Sequence, residues 1–470
     1  MKRILFVSES LGEPNHQRGI FHFTRELARS LNAEGHELTL LVERTARYRR
    51  LRRNQQRARL FQKGEIAVEL LALYRYLGDV GVNLVDLRSG LRKALDWFRD
   101  RFKAVLSLDV LICLAQALIG RAMRGAFINN AAAVFDYLPN ELEHLKLFHK
   151  FRLDAGVYSY QELSALTRLP APRLDVSGYD LVIVDSPTRM AMANNSRVRV
   201  ISVIHDLLPI TDVRLTDIAT RLFLFRLTTT LRNATELLFV SNYTRDRFRQ
   251  LLPQFAHLPG KIVFPRTRFP IDLPVREPNR RPTFVVIVSY EYRKNLPALV
   301  RAFARLPAAD LVIIGSLGGA SIIRRLPENV TFTGFVDEPE KQALIRDATA
   351  LIMPSLAEGF GVPIIEAFSA NVPVLCSDIA VFREVAGDLA IYFDPLSSAS
   401  MREAVVQAIA TEADLRERLA ARREELEQRF GTLTHARDVL APCLSRGVAD
   451  PTEPHFAAPY ANPKTAVGAL

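Results

Sequence analysis

A glycine-containing loop between a predicted strand and a predicted helix constrains the fold of this chain more than any other stretch. The apolar run Thr349–Met353 predicts a buried strand. Pro363 suits the first turn of a helix, where its missing N–H costs nothing. Gly359 and Gly361 allow the backbone between them to turn tightly and to approach a ligand. Exposed amides at such a helix start form an anion site, so the stretch predicts an α/β unit that can hold a phosphate.

Two carboxylates frame this loop: Glu358 within it and Glu366 in the predicted first helical turn. An isolated Glu-Gly pair would be an ordinary strand-to-helix connection. Here the run 358–366 resembles the E-x7-E signature of retaining GT-B glycosyltransferases, above all family 4, including the Glu-Gly-Phe-Gly-(Val/Leu)-Pro wording at 358–363. The resemblance implies two Rossmann-like, doubly wound α/β domains that face a central cleft.

The same resemblance implies roles for the residues of the loop. Glu358 would lie near the hydroxyls of the donor sugar, and Glu366 would bind the nucleotide ribose. The amides at 362–365 would stabilise the departing phosphate. The loop residues expected to line the donor are Gly359, Phe360, Gly361 and Val362.

Length and composition indicate a globular protein with two domains. A chain of 470 residues is too long for one core, and 49% hydrophobic with 24% charged residues is ordinary for a soluble protein. Cys113, Cys376 and Cys443 have neither metal-ligand spacing nor the pattern of a disulfide framework. The N-terminus runs directly into a strand pattern and lacks the features of a signal peptide. A cytoplasmic setting is expected.

Positive charge is concentrated in one run. Of a net charge of +11, much lies in Arg44–Lys63, which has no acidic residue. Nucleic acid, an anionic membrane or an anionic substrate could each explain it. No nucleic-acid motif or interleaved stacking aromatic accompanies the run, so we favour the inner face of the plasma membrane over nucleic acid. A solvated helix or loop explains it equally well.

The beginning of the chain predicts a parallel sheet. Ile4–Val7 and Leu38–Val42 have strand patterns, and Phe21–Leu31 between them has helical spacing, so they form a βαβ unit. The opening resembles the N-terminal domain of family 4 enzymes, in which a glycine after the first strand approaches donor and acceptor. Gly19 is the nearest match, although the usual double glycine is missing.

Between residues 44 and 175 the resemblance fades. Ile66–Tyr74 has a strand pattern, and Leu91–Gly125 is largely helical. Ala104–Gly120 is the most apolar part, but it falls short of the ~20 residues that a membrane span needs. We expect a divergent, largely helical insertion that recognises the acceptor or contacts a membrane.

Polar residues follow three further predicted strands, Leu181–Val184, Val198–Ile204 and Leu237–Val240. Open α/β sheets bind ligands at this carboxyl edge. His205-Asp206 resembles the His-Asp-(Leu/Ile)-x-Pro motif of many family 4 members, which implies that His205 faces the transferred sugar and that Asp206 lies on the acceptor side. The run 241–244 resembles a family turn that caps the next helix.

Domain limits follow from these patterns. We assign an N-terminal acceptor domain to 1–270, a proline-rich linker to 271–282, a nucleotide-sugar domain to 283–447 and a disordered tail to 448–470. No G-x-G-x-x-G follows a strand in βαβ context, which argues against a dinucleotide oxidoreductase. The strands expected in the second domain are Phe284–Val288, Leu311–Ile314, Val330–Phe332, Leu351–Met353, Val374–Cys376 and Ile391–Phe393.

Two segments of the second domain resemble donor-binding elements of the family. Ser289–Asn295 resembles the segment whose lysine, here Lys294, binds the diphosphate; many members have an arginine where Ser289 stands, and Arg293 is the expected substitute. The run 333–336 resembles the turn that borders the nucleobase, which assigns Gly334, Phe335 and Val336 to the donor site.

Sugar transfer builds negative charge on the leaving phosphate and positive character at the anomeric carbon. We expect His205, Glu358 and Lys294 to carry the chemistry, in a cleft that closes on the donor. The sequence does not decide between double displacement and same-face attack. No Asp-x-Asp motif is present, and we expect neither a metal ion nor another cofactor besides the nucleotide-diphosphate sugar.

The expected function is transfer of a hexose, GDP-mannose being the preferred donor over UDP-sugars, to a glycan or lipid-linked acceptor in polysaccharide or lipopolysaccharide assembly. Two alternatives stay open: a GT-B sugar-nucleotide epimerase, and a non-catalytic scaffold or membrane adaptor that uses the basic run. The Glu358 loop and Lys294 argue against both.

Overall fold

The computed structural model describes residues 1–12, 19–44, 108–129, 140–167, 169–212, 214, 220–270, 281–288, 291–315, 326–334, 336–432 and 435–442. Within them lie two large sheets, an eight-stranded one in the N-terminal half and a six-stranded one in the C-terminal half. Buried apolar clusters cover both faces of each sheet. The predicted α/β architecture with two parallel sheets is confirmed.

The first sheet combines strands from the whole N-terminal half. Its strands are β1 (Arg3–Val7), β2 (Glu37–Arg44), β3 (Ala126–Asn129), β4 (Lys150–Ala155), β6 (Leu181–Val184), β8 (Arg199–Ile204), β9 (Glu236–Phe239) and β10 (Gly260–Ile262), while β5 (Arg173–Asp175) and β7 (Ala191–Ala193) form a separate pair. The order across the sheet is β10-β9-β8-β6-β1-β2-β4-β3. All neighbours are parallel except β3 and β4.

Six α-helices accompany this sheet in the described part of the chain: α1 (Gly19–Ala33), α2 (Leu108–Leu118), α3 (Val157–Thr167), α4 (Leu208–Thr211), α5 (Thr220–Asn233) and α6 (Asn242–Leu251). Short 3₁₀ turns occur at Ser10–Gly12, Asn140–Leu147 and Pro253–Phe255. The predicted opening βαβ unit is therefore present as β1-α1-β2, with β1 and β2 in parallel register.

The second sheet is parallel throughout, in the order β13-β12-β11-β14-β15-β16. Its strands are β11 (Thr283–Val288), β12 (Asp310–Gly315), β13 (Val330–Gly334), β14 (Ala350–Met353), β15 (Val374–Ser377) and β16 (Ala390–Phe393). Its helices are α7 (Leu296–Phe303), α8 (Glu338–Asp347), α9 (Val362–Ser369), α10 (Ala380–Ala386), α11 (Ser398–Ala421), α12 (Arg423–Phe430) and α13 (His435–Leu440), with a 3₁₀ turn at Tyr292–Lys294. All six strands expected here are present.

Strand β4 was not predicted from the sequence. It lies in the region 44–175 and pairs with β2, so this part of the predicted insertion belongs to the main sheet. Its polar residues concealed it: Arg152 and Asp154 are both about 1% exposed, and Arg152 Nε donates to Asp154 Oδ2 at 2.7 Å. Because the two charges compensate each other inside the core, a strand with alternating polar residues can be fully buried.

The chain returns to the N-terminal half at its end. Helix α13 packs against α1, and the Ala436 amide donates to the Ser30 hydroxyl at 2.9 Å. Arg199, on β8, donates to the Leu440 carbonyl. Beside this crossing, the Thr267 amide donates to the Phe430 carbonyl, so the outgoing and returning segments lie side by side.

Several expectations fall on residues outside the described ranges. They concern the strand at Ile66–Tyr74, the tail at 448–470 and most of the basic run Arg44–Lys63. Of the predicted helical stretch Leu91–Gly125, the structure describes α2 and the turn that follows it. In the described part of the chain, no helix combines the length and apolar character needed to cross a bilayer.

Candidate active site

The predicted glycine loop joins β14 to α9. Gly361 precedes α9 with a φ of +107°, in the left-handed region that favours glycine, and Pro363 lies in the first turn as expected. Glu366 was expected in the first helical turn. It is instead the fifth residue of α9 and begins the second turn, because the helix starts only at Val362.

Glu358 lies at the centre of a cluster of charges. It is 8% exposed, accepts from Lys294 Nζ at 2.7 Å and from the Ser355 hydroxyl at 2.9 Å, and forms a second ion pair with Arg293. Burial acts to raise the pKa of Glu358, but the charges of Arg293 and Lys294 outweigh it and lower the pKa to about 2. The carboxylate is therefore ionised at any physiological pH.

The two cations come from the short turn after β11. The 3₁₀ turn Tyr292–Lys294 ends at Asn295, whose φ is +53°, and this reversal places the two side chains on the same carboxylate. The Arg293 carbonyl accepts from the Leu356 amide at 2.7 Å, which ties this turn to the glycine loop. Burial acts to lower the pKa of Arg293, but Glu358 and Glu291 raise it. Ser289 lies outside the described residues.

Glu366 also has a cationic partner, which sequence reasoning missed. Lys341 of α8 is 4% exposed, and its Nζ lies 3.0 Å from Glu366 Oε1 and 3.0 Å from Glu338 Oε1. In the sequence, a lysine that follows Glu338 and Glu340 on a polar helix indicates a solvated position, so nothing signalled its burial.

His205 follows β8 at the carboxyl edge of the first sheet. Burial lowers the pKa of His205 to about 4, so its imidazole is neutral near pH 7. The ring stacks edge-on against Phe23 at 5.3 Å between centroids. Its Nε2 is buried and, among the described residues, accepts and donates no hydrogen bond. It is thus a neutral imidazole with one buried nitrogen that has no partner among the described residues.

The glycine loop of the second sheet lies directly against the His205 strand end of the first. A Cβ on Gly359 would stand 2.0 Å from the His205 carbonyl oxygen, so only glycine fits. The Gly359 carbonyl accepts from the hydroxyls of Ser241 at 2.8 Å and Thr244 at 3.2 Å. Ser241 also caps α6 by accepting from the Thr244 amide, as the sequence predicted.

The predicted acceptor-side residues lie at the same junction. Asp206 Oδ1 accepts from the Leu208 amide at 3.1 Å; burial raises its pKa, while Arg293 acts to lower it. Gly19 begins α1, and a Cβ there would stand 3.5 Å from a Val362 methyl carbon. The structure therefore brings Gly19, Asp206, His205, Glu358, Arg293 and Lys294 to one junction between the two halves of the chain.

The first sheet has a second buried carboxylate, to which the sequence assigned no role. Asp185, after β6, is fully buried, and its Oδ2 accepts from the hydroxyls of Ser8 at 2.5 Å, Ser10 at 2.6 Å and Thr24 at 3.1 Å. Ser186 donates to Oδ1. Burial raises the pKa of Asp185 against these hydrogen bonds. The carboxylate ties the ends of β1 and β6 to α1, beside His205.

The predicted nucleobase turn follows β13. Gly334 has a φ of +77°, and no heavy atom of the described residues lies within 4 Å of the position that a Cβ would take. Val336 packs partly against the core, and Phe335 lies outside the described residues. Among the residues that the structure places, no group of three or more His, Cys, Asp or Glu side chains could hold a metal ion.

Comparison with known proteins places this site in context. Residues 271–425 match the family described as "Glycosyl transferases group 1". A relative named "O-antigen chain mannosyltransferase B", from Escherichia coli, is 31% identical over 135 residues, which are 26% of this chain and 35% of that protein. The match thus spans about a third of the length of that relative.

Two solved structures resemble the whole described architecture. Sucrose-phosphate synthase from Thermosynechococcus elongatus superposes with a TM-score of 0.57 at 16% identity, over 93% of this chain and 97% of that one. Anabaena HepE in complex with UDP-glucose gives 0.53 at 14% identity, over 93% and 98%. At such identities the likeness concerns the fold, and it confirms the predicted GT-B class.

Proposed function

We propose that this chain is a retaining hexosyltransferase of family 4 type, because it has the GT-B fold and its residues 271–425 match the glycosyl transferases group 1 family. It would use a nucleotide-diphosphate sugar and a glycan or lipid-linked acceptor in polysaccharide or lipopolysaccharide assembly. The likeness to an Escherichia coli O-antigen mannosyltransferase supports a mannosyl donor, hence GDP-mannose, and the UDP-glucose complex of HepE supports the general donor class.

One observation carries the proposal: the neutral imidazole of His205 and the Glu358 cluster meet across the junction of the two halves. The Gly359 contact with His205 fixes that juxtaposition. Arg293 and Lys294 supply two positive charges beside the helix start at Val362, which together suit a diphosphate. A sugar attached to that diphosphate would extend towards His205 Nε2.

In this arrangement the reaction needs little proton transfer from the protein. Arg293, Lys294 and the amides at the start of α9 stabilise the nucleoside diphosphate as it leaves. His205, neutral because burial lowers its pKa to about 4, accepts or donates a hydrogen bond at a sugar hydroxyl through Nε2. The acceptor hydroxyl gives its proton to a phosphate oxygen of the donor. Glu358 binds sugar hydroxyls once the diphosphate has taken over its two cations.

The test has two stages. Thermal shift against GDP, UDP and ADP, with and without EDTA, identifies the base, because a ligand of the folded state raises the melting temperature. Release of the nucleoside diphosphate from GDP-mannose or UDP-glucose then reports transfer, and NMR of the product reports the anomeric configuration. A stable fold with no shift for any nucleotide would refute the proposal, and an inverted product would refute retention. Loss of release in EDTA would refute independence from metal ions.

A further inference from the structure

Lys341 is buried although its helix offers a solvated side. It is the fourth residue of α8 and is 4% exposed, while its partner Glu338 is 45% exposed at the side chain and its partner Glu366 only 6%. Taking an ammonium group out of water is costly unless it is paired. Lys341 therefore forms a buried ion pair with Glu366, and its second partner, Glu338, lies on the solvent side.

The pair leaves one oxygen of Glu366 for a ligand. Oε1 accepts from Lys341 Nζ at 3.0 Å. In the described part of the chain, Oε2 accepts no hydrogen bond, and it is not among the buried atoms that lack a partner. Glu366 thus presents a single oriented oxygen next to the start of α9, where the cations of the Glu358 cluster also lie.

A residue from the other half of the chain covers this pair. His22 of α1 is 7% exposed and faces Lys341, Glu338, Arg25 and Glu26. Burial, and then the charges of Lys341 and Arg25, lower the pKa of His22 well below its usual value. Because Lys341, Glu366 and the neutral His22 ring are all buried, the pair lies in a medium in which its attraction is strong.

We propose that Lys341 is a positioning residue that makes the site selective for ribose. It rests on the proposed function, in which Glu366 binds the nucleotide ribose. The ammonium holds Oε1 in place, so that Oε2 is already oriented towards the ribose hydroxyls when the nucleotide binds. A hydroxyl that donates to an ionised carboxylate makes a stronger hydrogen bond than one that donates to a neutral group. A nucleotide lacking that hydroxyl loses this contact.

The experiment compares nucleotides that differ only in ribose hydroxyls. Calorimetry measures the affinity for GDP, 2′-deoxy-GDP and 3′-deoxy-GDP, and for the uridine set if the protein prefers UDP. For the unaltered protein we expect GDP to bind about tenfold or more tightly than at least one deoxy form. Lys341→Met should bring that ratio close to one, and Lys341→Arg should keep most of it.

Two further variants make the test specific. Glu338→Gln removes the other partner of Lys341 and should keep the ratio. Lys341→Gln can still donate to Oε1 without a charge, and it replaces Lys341→Met if that variant does not fold. It should lower the ratio severalfold.

The outcomes separate the two proposals. If Glu366→Ala abolishes the ratio while Lys341→Met and Lys341→Gln keep it, the role of Lys341 is refuted and the ribose role of Glu366 stands. If Glu366→Ala also keeps the ratio, or if the unaltered protein binds all forms equally, the ribose role and the role of Lys341 are refuted together. If Glu366→Ala and the Lys341 variants all lose the preference for GDP over its deoxy forms, Lys341 is supported as the positioning residue.

Discussion

Glu358 and Asp185 are both buried carboxylates at the carboxyl ends of parallel strands, yet they are stabilised in opposite ways. Glu358 accepts from two cations and has a pKa lowered to about 2. Asp185 accepts from four hydroxyls, and burial raises its pKa. The hydroxyls are neutral and belong to the first half of the chain. The cations of Glu358 can instead exchange one anion for another.

The comparison distinguishes a carboxylate in a ligand-binding site, Glu358, from a carboxylate that stabilises the fold, Asp185. In the proposed reaction a diphosphate replaces Glu358 on Arg293 and Lys294, since its charge is also negative, is larger, and is spread over more acceptor oxygens. Asp185 itself is fully buried, and its partners Ser8 and Thr24 are buried with it, so its hydroxyl donors bind a group of the fold. We therefore expect substitutions at the Glu358 cluster to alter binding and turnover, and substitutions at Asp185 to alter stability.

The largest effect is expected at Lys294. Lys294→Met removes one of the two charges that stabilise the leaving diphosphate, and we expect turnover to fall about 10²–10³-fold. Steady-state release of nucleoside diphosphate from the preferred donor measures it. Lys150→Met is the matched control, because Lys150 pairs with Glu37 at the surface of the first sheet. Equal losses in both variants would contradict a role for Lys294 in the reaction.

Asp185→Ala should destabilise the fold by about 3 kcal/mol, because it removes the acceptor shared by four hydroxyls, among them the buried Ser8 hydroxyl. The melting temperature, measured by calorimetry, should fall by several degrees. Asp185→Asn, which keeps an acceptor, should recover most of this loss. A stable Asp185→Ala variant that has lost nucleotide binding would contradict the assignment of Asp185 as a structural tie.

His435 is a third buried ionisable group, and it has neither the charged partners of Glu358 nor the hydroxyl partners of Asp185 among the described residues. It is fully buried, and neither ring nitrogen has a hydrogen-bond partner among the residues that the structure describes. Burial, with a smaller effect of Arg266, lowers the pKa of His435 to about 3. Because the unfolded chain takes up this proton at higher pH than the folded one, stability falls as the pH drops below 6.5. Between pH 6.5 and 5 the loss from this residue is about 2 kcal/mol.

His435→Leu should remove that loss. The difference in melting temperature between pH 7 and pH 5 should shrink for this variant and stay unchanged for His257→Leu, which alters an exposed histidine. An unchanged acid sensitivity of His435→Leu would show that other groups, among them His22 and His205, account for it.

The smallest effect that we expect is on the affinity for the nucleotide. Glu358→Gln removes the anion that competes with the diphosphate for Arg293 and Lys294. We expect GDP or UDP, whichever the protein prefers, to bind about fivefold more tightly, or ~1 kcal/mol, while transfer falls. Glu291→Gln, which removes the other carboxylate paired with Arg293 and leaves the partners of Lys294 in place, should give a smaller gain. Weaker nucleotide binding by Glu358→Gln would mean that Glu358 organises the cations instead of competing with the ligand.

Sequence patterns were sufficient to predict the strands that consist of apolar residues throughout and the loop that is marked by glycine and proline. The strands of the second sheet are continuous apolar runs between turn residues, so all six were predicted, and the Gly359–Pro363 spacing predicted the loop and the helix start. Strand β4 was missed because its buried charges compensate each other only in three dimensions.

The same limit applies to the site. Glu358, Lys294 and His205 were predicted from motifs, and the structure brings them to one junction; their roles stay predictions. Lys341, Asp185 and His435 have no local pattern that distinguishes them from solvated or ordinary residues. The residues that surround each of them come from distant segments of the chain, and a local sequence pattern does not show which distant segments will meet.

The side-by-side crossing of the chain has a mechanical consequence. The outgoing segment at Thr267 and the returning segment at Gly431 form a β-bridge, and α13 then lies against α1. Two adjacent chain segments joined by hydrogen bonds limit how far the two halves can separate or slide past each other. Phe430, next to this bridge, packs against Phe360, the neighbour of Gly359, so the crossing and the Gly359–His205 contact are connected through packed rings.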